Sequence, residues 1–344
     1  MTNWFERLTG FRETGYAATR ARLRVEDGLL HSDASDRRAA VGRLELVSLA
    51  ELRERAQGVV VSGRLRLGIV QGDVRGMHLE ARNEGALFQV ASQFNLLEMV
   101  SPEVTPEEGV ARYEWDRTQG PACAIAAGAG TIFRNYFAPV DDQEGQTALR
   151  QLDGLRDLGE TLAARLGVAP GTLWQMENGY AFPTGRSLSM ISAHLKKQSE
   201  ADLDGLRGLL RVGLQSDVEV TDGDRIPGPL VSQIYCSALP VGYSELDRRS
   251  WTEFACLVQE AAYETTLLAA VLNAARGASR RVLLTRIGGG VFGNDDRWIS
   301  AAILRALRLV KAHDLEVDMV SYGVPSKDMR ELLATWQAEA HQDA

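Results

Sequence analysis

In six segments of the chain, polar and apolar positions alternate or apolar residues form short runs, and these segments predict β-strands. They are residues 18–47, 58–74, 86–94, 231–241, 281–285 and 315–323. A period of two, and short apolar runs that stop at turn residues, are typical of strands. The first segment is interrupted at Glu26-Asp27-Gly28, a turn signal, and therefore predicts a hairpin or a short meander.

Other segments space their apolar residues three or four apart or are rich in small residues, which predicts helices. They are residues 48–56, 121–137, 147–166, 185–211, 250–277, 296–310 and 329–340. Two of these helices begin at predicted capping boxes, Ser48 to Glu51 and Ser250 to Glu253. Strands and helices alternate around residues 58–137 and in the last third of the chain. This alternation predicts an α/β sheet with helices on both faces.

The pattern divides the chain into four parts. Residues 1–57 are an N-terminal extension of β-hairpin and helix, and residues 58–140 are the first part of the α/β core. Residues 141–229 are mainly helical, with acidic connectors that contain glycine, and are interpreted as an insertion. Residues 230–344 complete the core.

Composition narrows the class of protein. A chain of 344 residues with a formal net charge of −8 has no general electrostatic attraction for nucleic acid. The cysteines, Cys123, Cys236 and Cys256, lie far apart in apolar contexts, which favours buried thiols over disulfides or a zinc site. No histidine stands at ligand spacing from another metal-binding residue, so we expect neither a metal nor a cofactor. Without an apolar leader or a run of membrane-spanning length, we expect a cytoplasmic protein with no membrane partner.

The most informative stretch is LLTRIGGGVFGNDDRWISAAIL, residues 283–304. Gly288 to Gly293 matches the dinucleotide pattern G-x-G-x-x-G between a strand and a helix. Only one predicted strand follows, and it ends Val320-Ser321-Tyr322-Gly323 without the acidic residue of such sites, which argues against that fold. Two interpretations stay open. The glycines form a tight turn only, or their free N–H groups bind phosphate, although the charges of Asp295 and Asp296 disfavour a phosphate nearby.

Three separated motifs resemble the macro domain superfamily, the ADP-ribose-binding fold that includes the poly(ADP-ribose) glycohydrolases. They are IVQGDV (69–74), FQVASQFN (88–95) and RIGGGVFGN (286–294). The resemblance implies a three-layer mixed sheet with helices on both faces. It implies that Asp73 binds the adenine amino group, that Asn95 binds the distal ribose, and that Phe292 packs on the ribose beside a diphosphate loop. The other predicted ligand contacts are Val74, Gln93, Gln119, Gly120, Gly288, Gly289, Gly290, Val291, Gly293, Asn294 and Tyr322, the last as a stacking partner for adenine.

The chain departs from the family pattern where the family has its first phosphate loop. No glycine run follows Asn95, and the nearest substitute is Thr118-Gln119-Gly120-Pro121. The paired glutamates of the glycohydrolases are absent, so binding is better supported than catalysis.

Hydrolysis of a glycosidic bond needs a carboxylate near the anomeric carbon. The candidates are Glu98, Glu114 and Asp116, although an ion pair with Arg112 or Arg117 is an alternative role for the last two. The protein is thus expected to bind ADP-ribose or an ADP-ribosylated macromolecule. It is either a hydrolase that releases ADP-ribose or a non-catalytic nucleotide-binding module.

Residues 162–183 raise a further alternative, because they resemble a helix-turn-helix of the phage-repressor type. The predicted recognition helix, PGTLWQME, has no lysine or arginine and carries Glu177, so it lacks the charge that neutralises DNA phosphates. DNA binding therefore stays a minor alternative. A helical lid or an oligomer surface is the preferred role for this segment.

Overall fold

The computed structural model describes residues 2–342. Its strands, in chain order, are β1 (Leu23–Glu26), β2 (Leu29–Ser32), β3 (Ser35–Ala40), β4 (Arg43–Ser48), β5 (Arg66–Gln71), β6 (Leu87–Ala91), β7 (Pro139–Val140), β8 (Gln143–Glu144), β9 (Trp174–Glu177), β10 (Tyr180–Pro183), β11 (Arg211–Glu219), β12 (Leu230–Cys236), β13 (Arg281–Leu284) and β14 (Glu316–Ser321). The predicted strand over 58–74 is confirmed only over β5, and its first residues contribute a single isolated bridge from Ser62 to His313.

The helices lie largely where their apolar spacing predicts them. They are α1 (Trp4–Thr9), α2 (Tyr16–Arg20), α3 (Leu49–Ala56), α4 (Val74–Met77), α5 (Gln119–Ala126), α6 (Gly128–Tyr136), α7 (Arg156–Leu166), α8 (Gly185–Leu195), α9 (Glu200–Arg207), α10 (Thr252–Ala275), α11 (Asp296–Leu309) and α12 (Lys327–Gln342). The capping box at Ser48 is present. The one predicted at Ser250 is wrong, because a 3₁₀ turn over Arg248–Trp251 precedes α10.

The central sheet has seven strands in the order β4-β11-β12-β6-β13-β14-β5. The run from β12 to β5 is parallel, whereas β11 is antiparallel to both of its neighbours. The carboxyl ends of five parallel strands therefore meet at one edge of the sheet. In open α/β sheets this edge is where ligands bind.

Successive side chains along the central strands enter two different apolar clusters, one on each face of the sheet. Leu87 and Val282 pack in the cluster that includes α10 and α11. Their chain neighbours Phe88 and Leu283 pack in the opposite cluster, which includes Cys123 of α5. Because side chains alternate across a strand, a sheet buried on both faces needs helices on both sides. The predicted three-layer mixed sheet is confirmed.

Both segments that flank the predicted core supply strands to the sheet. β4 comes from the predicted N-terminal extension and β11 from the predicted insertion, and the two pair from Arg211 with Ser48 to Ser216 with Arg43. The rest of the extension forms a separate small sheet in the order β1-β2-β3. The boundaries drawn from sequence composition thus cut across one continuous sheet.

The helix-turn-helix prediction is wrong. Its second helix is in fact the hairpin of β9 and β10, joined by a two-residue turn at Asn178 and Gly179 with φ angles of 45° and 83°. Two adjacent positive φ values are what Asn-Gly favours in tight hairpins. The DNA-binding alternative therefore loses the element on which it rested.

The helical segment 248–275, which contains α10, is long and apolar enough to cross a membrane by length and composition alone. In the structure 78% of its most apolar stretch is buried inside the protein. Its apolar surface packs on the sheet, on α3 and on α11. Burial in the core accounts for its composition, and residence in the cytoplasm stays a prediction.

The capping box at the start of α3 provides a test of the fold. Ser48 Oγ accepts from Glu51 N at 3.1 Å, and Glu51 Oε2 accepts from Ser48 N at 2.7 Å. We expect Ser48→Ala to lower the free energy of unfolding by about 1 kcal/mol, measured by urea denaturation. Ser189→Ala, on the exposed face of α8, is the control, and an equal loss in both variants would contradict this role for the cap.

Candidate functional site

A cleft of about 200 Å³, partly open to solvent, lies at the carboxyl ends of β6, β12 and β13. Four stretches of chain contribute to the wall: the loop after β6, the start of α5 with the residues before it, the residues after β12, and the glycine loop after β13. Tyr180 of β10 completes it. The cleft thus lies where the sheet topology favours a ligand.

Many of the predicted site residues line this cleft together. They are Gln93, Glu98, Asp116, Gln119, Gly120, Gly288, Gly289, Gly290, Val291 and Phe292. The structure therefore joins the loop after β6, the substitute for the first phosphate loop, and the glycine loop. The part that each residue has in ligand binding remains a prediction.

Asn95 does not line the cleft. It is fully buried, its Oδ1 accepts from Leu97 N at 3.1 Å, and its Nδ2 donates to Gln151 Oε1 at 2.8 Å. Both ends of its amide are therefore used within the protein. Asn95 stabilises the loop that carries it. Its position outside the cleft does not support the predicted contact to a ribose.

Asp73, Val74 and Tyr322 also lie outside the cleft wall. Asp73 is exposed after β5 and caps α4 by accepting from Arg75 N at 3.0 Å, whereas Val74 is buried in the core. Tyr322, after β14, is 83% exposed. Because β5 lies two strands beyond β13, Asp73 stands about 10 Å farther along the same edge of the sheet. Asp73 and Tyr322 can contact only a ligand that extends out of the cleft, and the side chain of Val74 is part of the core.

Glu114 is a structural residue and not part of the cleft. Its Oε2 accepts from Trp4 N at 2.9 Å, and its Oε1 lies 3.7 Å from Arg75 Nη1. The carboxylate therefore joins α1 to the segment before α5. The position of Glu114 therefore does not support a catalytic role, and its cationic partner is Arg75, not Arg112 or Arg117.

The glycine loop presents unpaired amides. Within residues 2–342, the N–H groups of Gly288, Gly290, Val291 and Phe292 have no acceptor. By contrast, the loop is closed by Gly289 N, Gly293 N and Asn294 N, which donate to carbonyls of the loop at 3.0 Å each. Free backbone donors beside the start of a helix are a binding site for anions.

The glycines of this loop are required for different physical reasons. Gly288 has a φ of 76°, a left-handed conformation that favours glycine, and a Cβ there would lie 2.5 Å from Ala238 Cβ. A Cβ on Gly290 would meet nothing within 4 Å. A tight turn therefore explains Gly288 but not Gly290, which borders open space in the cleft.

Gly293 and Asn294, predicted as ligand contacts, shape the loop from behind. Gly293 also has a left-handed φ, of 67°, and it packs against Gly242. Asn294 is buried and its Nδ2 donates to Leu239 O at 2.8 Å. Neither residue lines the cleft.

The two acids after the loop are both neutralised by arginines. Asp295 caps α11 by accepting from Arg297 N at 2.9 Å, and hydrogen bonding to Arg297 lowers the pKa of its carboxyl. Asp296 pairs with the guanidinium of Arg286. Each of the two acids is therefore paired with an arginine before a ligand binds.

The start of α5 is docked on β6. Gln119 Oε1 accepts from Ala91 N and its Nε2 donates to Gln89 O, both at 2.8 Å. A Cβ on Gly120 would lie 2.0 Å from Ala91 O, so only glycine permits this approach. In the described chain the N–H groups of Gln119 and Gly120 have no acceptor. The Gln119 side chain is thus structural, while the backbone leaves donors at the cleft.

Glu98 is a buried carboxylate on the cleft wall. Its side chain is 0% exposed, and both oxygens lie 3.0 Å from Arg134 Nη2. Burial raises the pKa of Glu98 to about 7, against the opposing effect of the Arg134 charge. The group is therefore suited to exchange a proton near neutral pH.

The loop that carries Glu98 is rigidly supported. Gln93 accepts from Met99 N at 2.8 Å and donates to Met99 O at 3.2 Å. Leu96 has a φ of 65°, unfavourable for a leucine, and its carbonyl accepts from Arg134 Nε at 2.9 Å. Strained backbone of this kind persists only where its surroundings hold it. The position of Glu98 is set before any ligand binds.

Asp116 is the second carboxylate on the cleft wall. It is partly exposed, and its Oδ1 accepts from Thr118 N at 2.8 Å, next to the start of α5. One buried and one solvated carboxylate thus face the same cleft. Pairs of acids in unlike environments are typical of sites for glycosidic hydrolysis.

Several residues of the site were not predicted from the sequence. Tyr180 and Tyr243 form an aromatic cluster with Phe292, with ring centroids 5.3 to 5.6 Å apart. The Asn-Gly hairpin signal at 178–179 would have placed Tyr180 on a strand. Arg286 is the first residue of the third motif, but no function was predicted for it. No local signal connects Arg134 to Glu98.

Among residues 2–342 no cluster of three or more histidine, cysteine or acidic side chains is arranged to hold a metal.

Comparison with known proteins returns matches in structure only. No protein-family model matches the sequence, and no curated protein matches it. Poly(ADP-ribose) glycohydrolase from Deinococcus radiodurans, in complex with ADP-ribose, has 12% sequence identity and a TM-score of 0.41, over 97% of this chain and 100% of that chain. The glycohydrolase from Thermomonospora curvata, bound to the inhibitor ADP-HPD, has 13% identity and a TM-score of 0.38, over 93% and 95%. The chain is similar, along nearly its whole length, to proteins of the class that its three motifs resemble.

The raised pKa of Glu98 makes protein stability depend on pH. A carboxyl with a higher pKa in the folded chain binds more protons when folded, so its contribution to stability is complete below about pH 4.5 and is lost as the pH rises through about 7. We expect the free energy of unfolding of the wild-type protein to fall relative to that of Glu98→Gln between about pH 5 and pH 8. Urea unfolding across this range measures the difference.

Glu114→Gln is the control for this experiment, because it makes the same change from carboxylate to amide at a residue outside the cleft. The opposite slope, with the wild-type protein gaining stability over Glu98→Gln as the pH rises, would mean that attraction to Arg134 outweighs the burial of Glu98.

Proposed function

We propose that the cleft binds ADP-ribose or an ADP-ribosyl conjugate, with the diphosphate on the glycine loop. The observation that carries this proposal is the set of free N–H groups at Gly288, Gly290, Val291 and Phe292 on the cleft wall. The unpaired donors at Gln119 and the adjacent glycine face the same cleft and add to this set. Oriented backbone donors at the carboxyl edge of a parallel sheet suit a phosphate group without requiring a metal.

The two ends of the ligand have different surroundings. The sugar next to the scissile bond would occupy the enclosed part of the cleft, between the aromatic cluster of Tyr180, Tyr243 and Phe292 and the carboxylates. The adenine would extend along the sheet edge towards Tyr322 and Asp73, whose exposure leaves both available. The family resemblance supplies the choice of adenine, and the spacing of the strands is consistent with a ligand of this length.

Binding is tested by calorimetric titration with ADP-ribose, AMP and NAD. We expect selective binding of ADP-ribose and its loss in Gly290→Val, because the added side chain would occupy space that is open in the cleft. Asp73→Ala should also weaken binding by removing the contact to adenine. The absence of measurable binding for all three ligands would rule out the proposed site.

Gly15→Val is the matched control for Gly290→Val. A Cβ on Gly15 would likewise meet nothing within 4 Å, and the residue lies outside the cleft wall, so the same substitution should leave binding unchanged. A loss of affinity in both variants would point to a general effect on folding.

The same cleft carries the groups that hydrolysis of a glycosidic bond requires. In this reaction Asp116 is the general base. It orients a water molecule and removes a proton from it as the water oxygen adds to the anomeric carbon. Glu98, whose pKa is raised to about 7, donates its proton to the leaving nitrogen or oxygen as the bond to that carbon breaks. Asp116 then loses the proton taken from water and Glu98 regains one from solvent, which restores the free enzyme.

Hydrolysis is tested by incubating the protein with ADP-ribosylated protein or nucleic acid and measuring free ADP-ribose. We expect Asp116→Asn to reduce the rate about a hundredfold or more while ADP-ribose still binds. Glu114→Gln is the control, since the amide retains the acceptor for Trp4 N and the residue lies outside the cleft.

A non-catalytic binding module remains the second candidate function. One observation favours it, namely that both oxygens of Glu98 are already engaged by Arg134. Tight binding of ADP-ribose without release from any conjugate would establish this alternative over the hydrolase.

A further inference from the structure

Arg286 is the single arginine or lysine on the wall of the cleft, within the residues that the structure describes. It lies two residues beyond the end of β13 and precedes the glycine loop. Gly289 N donates to Arg286 O at 3.0 Å, a turn that keeps the arginine beside the free amides. The partly exposed carboxylate of Asp116 lies on the same wall and repels an anionic ligand, whereas the charge of Glu98 is balanced by Arg134. A diphosphate therefore needs the positive charge of Arg286.

The guanidinium of Arg286 is only partly satisfied by the protein. One terminal nitrogen, Nη2, pairs with Asp296. The other, Nη1, is buried and has no hydrogen-bond partner among residues 2–342, and just 16% of the side chain is exposed. Buried donors in folded proteins are nearly always paired, and a charged donor left without an acceptor is unfavourable. A ligand can supply the missing acceptor once the side chain moves away from Asp296 and exposes this nitrogen.

The existing partner holds Arg286 weakly. Asp296 is 53% exposed, and ion pairs with a solvated carboxylate contribute little to stability. A phosphate can replace it at small cost, because Asp296 regains its hydration when the pair opens. Asp296 thus acts as an internal competitor for the same guanidinium.

We propose that Arg286 is the residue that selects for a diphosphate, by donating to a phosphate oxygen in exchange for its contact with Asp296. The inference rests on the proposed function and names the charge on which that site depends. The planar guanidinium offers two parallel donors to a phosphate, which neither a lysine nor the loop amides reproduce. Nucleotides with fewer phosphate charges should gain less from it, and adenosine nothing.

The test compares Arg286→Gln with Arg297→Gln, using calorimetric titration with ADP-ribose, AMP and adenosine. Arg297 is a matched control, since it pairs with Asp295 close by but does not line the cleft. We expect Arg286→Gln to weaken ADP-ribose binding about ten- to hundredfold and to leave adenosine binding unchanged. Arg297→Gln should change neither. Equal effects of the two variants, or an equal loss for adenosine, would overturn the proposal.

A second variant, Asp296→Asn, tests the exchange itself, and its own effect on binding does not depend on the folding of Arg286→Gln. Asp296→Asn removes the competitor, so ADP-ribose should bind about two- to fivefold more tightly. The gain should vanish when Arg286→Gln is added, because no guanidinium remains to be released. Unchanged affinity in Asp296→Asn would refute the exchange. Failure of the wild-type protein to bind ADP-ribose at all would instead refute the proposed function.

Discussion

A buried ion pair connects the candidate site to the rest of the fold. Arg134 of α6 contacts both oxygens of Glu98 and also bonds Leu96 O, Gln215 of β11 and Tyr235 of β12. One guanidinium thus ties the loop after β6 to a helix and to two neighbouring strands. A buried charge is tolerated only when its bonding capacity is used, and removing one partner leaves the other charge uncompensated. The position of Glu98 at the cleft therefore depends on the packing of the sheet and α6 together.

The two sides of the cleft are built by opposite means. On the side of β6, the polar side chains form hydrogen bonds within the protein. Gln93 and Asn95 stabilise the loop after β6, and Gln119 docks α5 on the strand. On the side of β13, the backbone is left bare, with free amides at Gly290 and its neighbours. The first side fixes the carboxylates in place without a ligand. The second side offers donors that remain unpaired until an anion binds.

The segment between residues 141 and 229, interpreted from composition as an insertion, is integral to both sheet and cleft. Its strand β11 fills the sheet between β4 and β12, and its hairpin brings Tyr180 against Phe292. The hairpin turn packs tightly on the loop after β6, where a Cβ on Gly179 would lie 2.7 Å from the side chain of Asn95. The N-terminal residues have a comparable role, since Glu13 accepts from Val110 N and Ala111 N and thereby supports the segment that carries Asp116.

The sequence by itself determined most of the strands and helices, the α/β class and the glycine loop after β13, because each of these depends on local periodicity or on residues adjacent in the chain. It also brought Glu98 and Asp116 into consideration, because they lie between Asn95 and the substitute for the first phosphate loop, and Phe292, because it lies in the third motif. Tertiary structure alone decided that Asn95 and Glu114 are used up as supports, that Asp73 lies beyond the cleft, and that Asp296 is paired with Arg286. Whether a polar side chain is free or bonded is set by partners that are distant in the chain. That long-range pairing is the information which spacing along a single sequence does not contain.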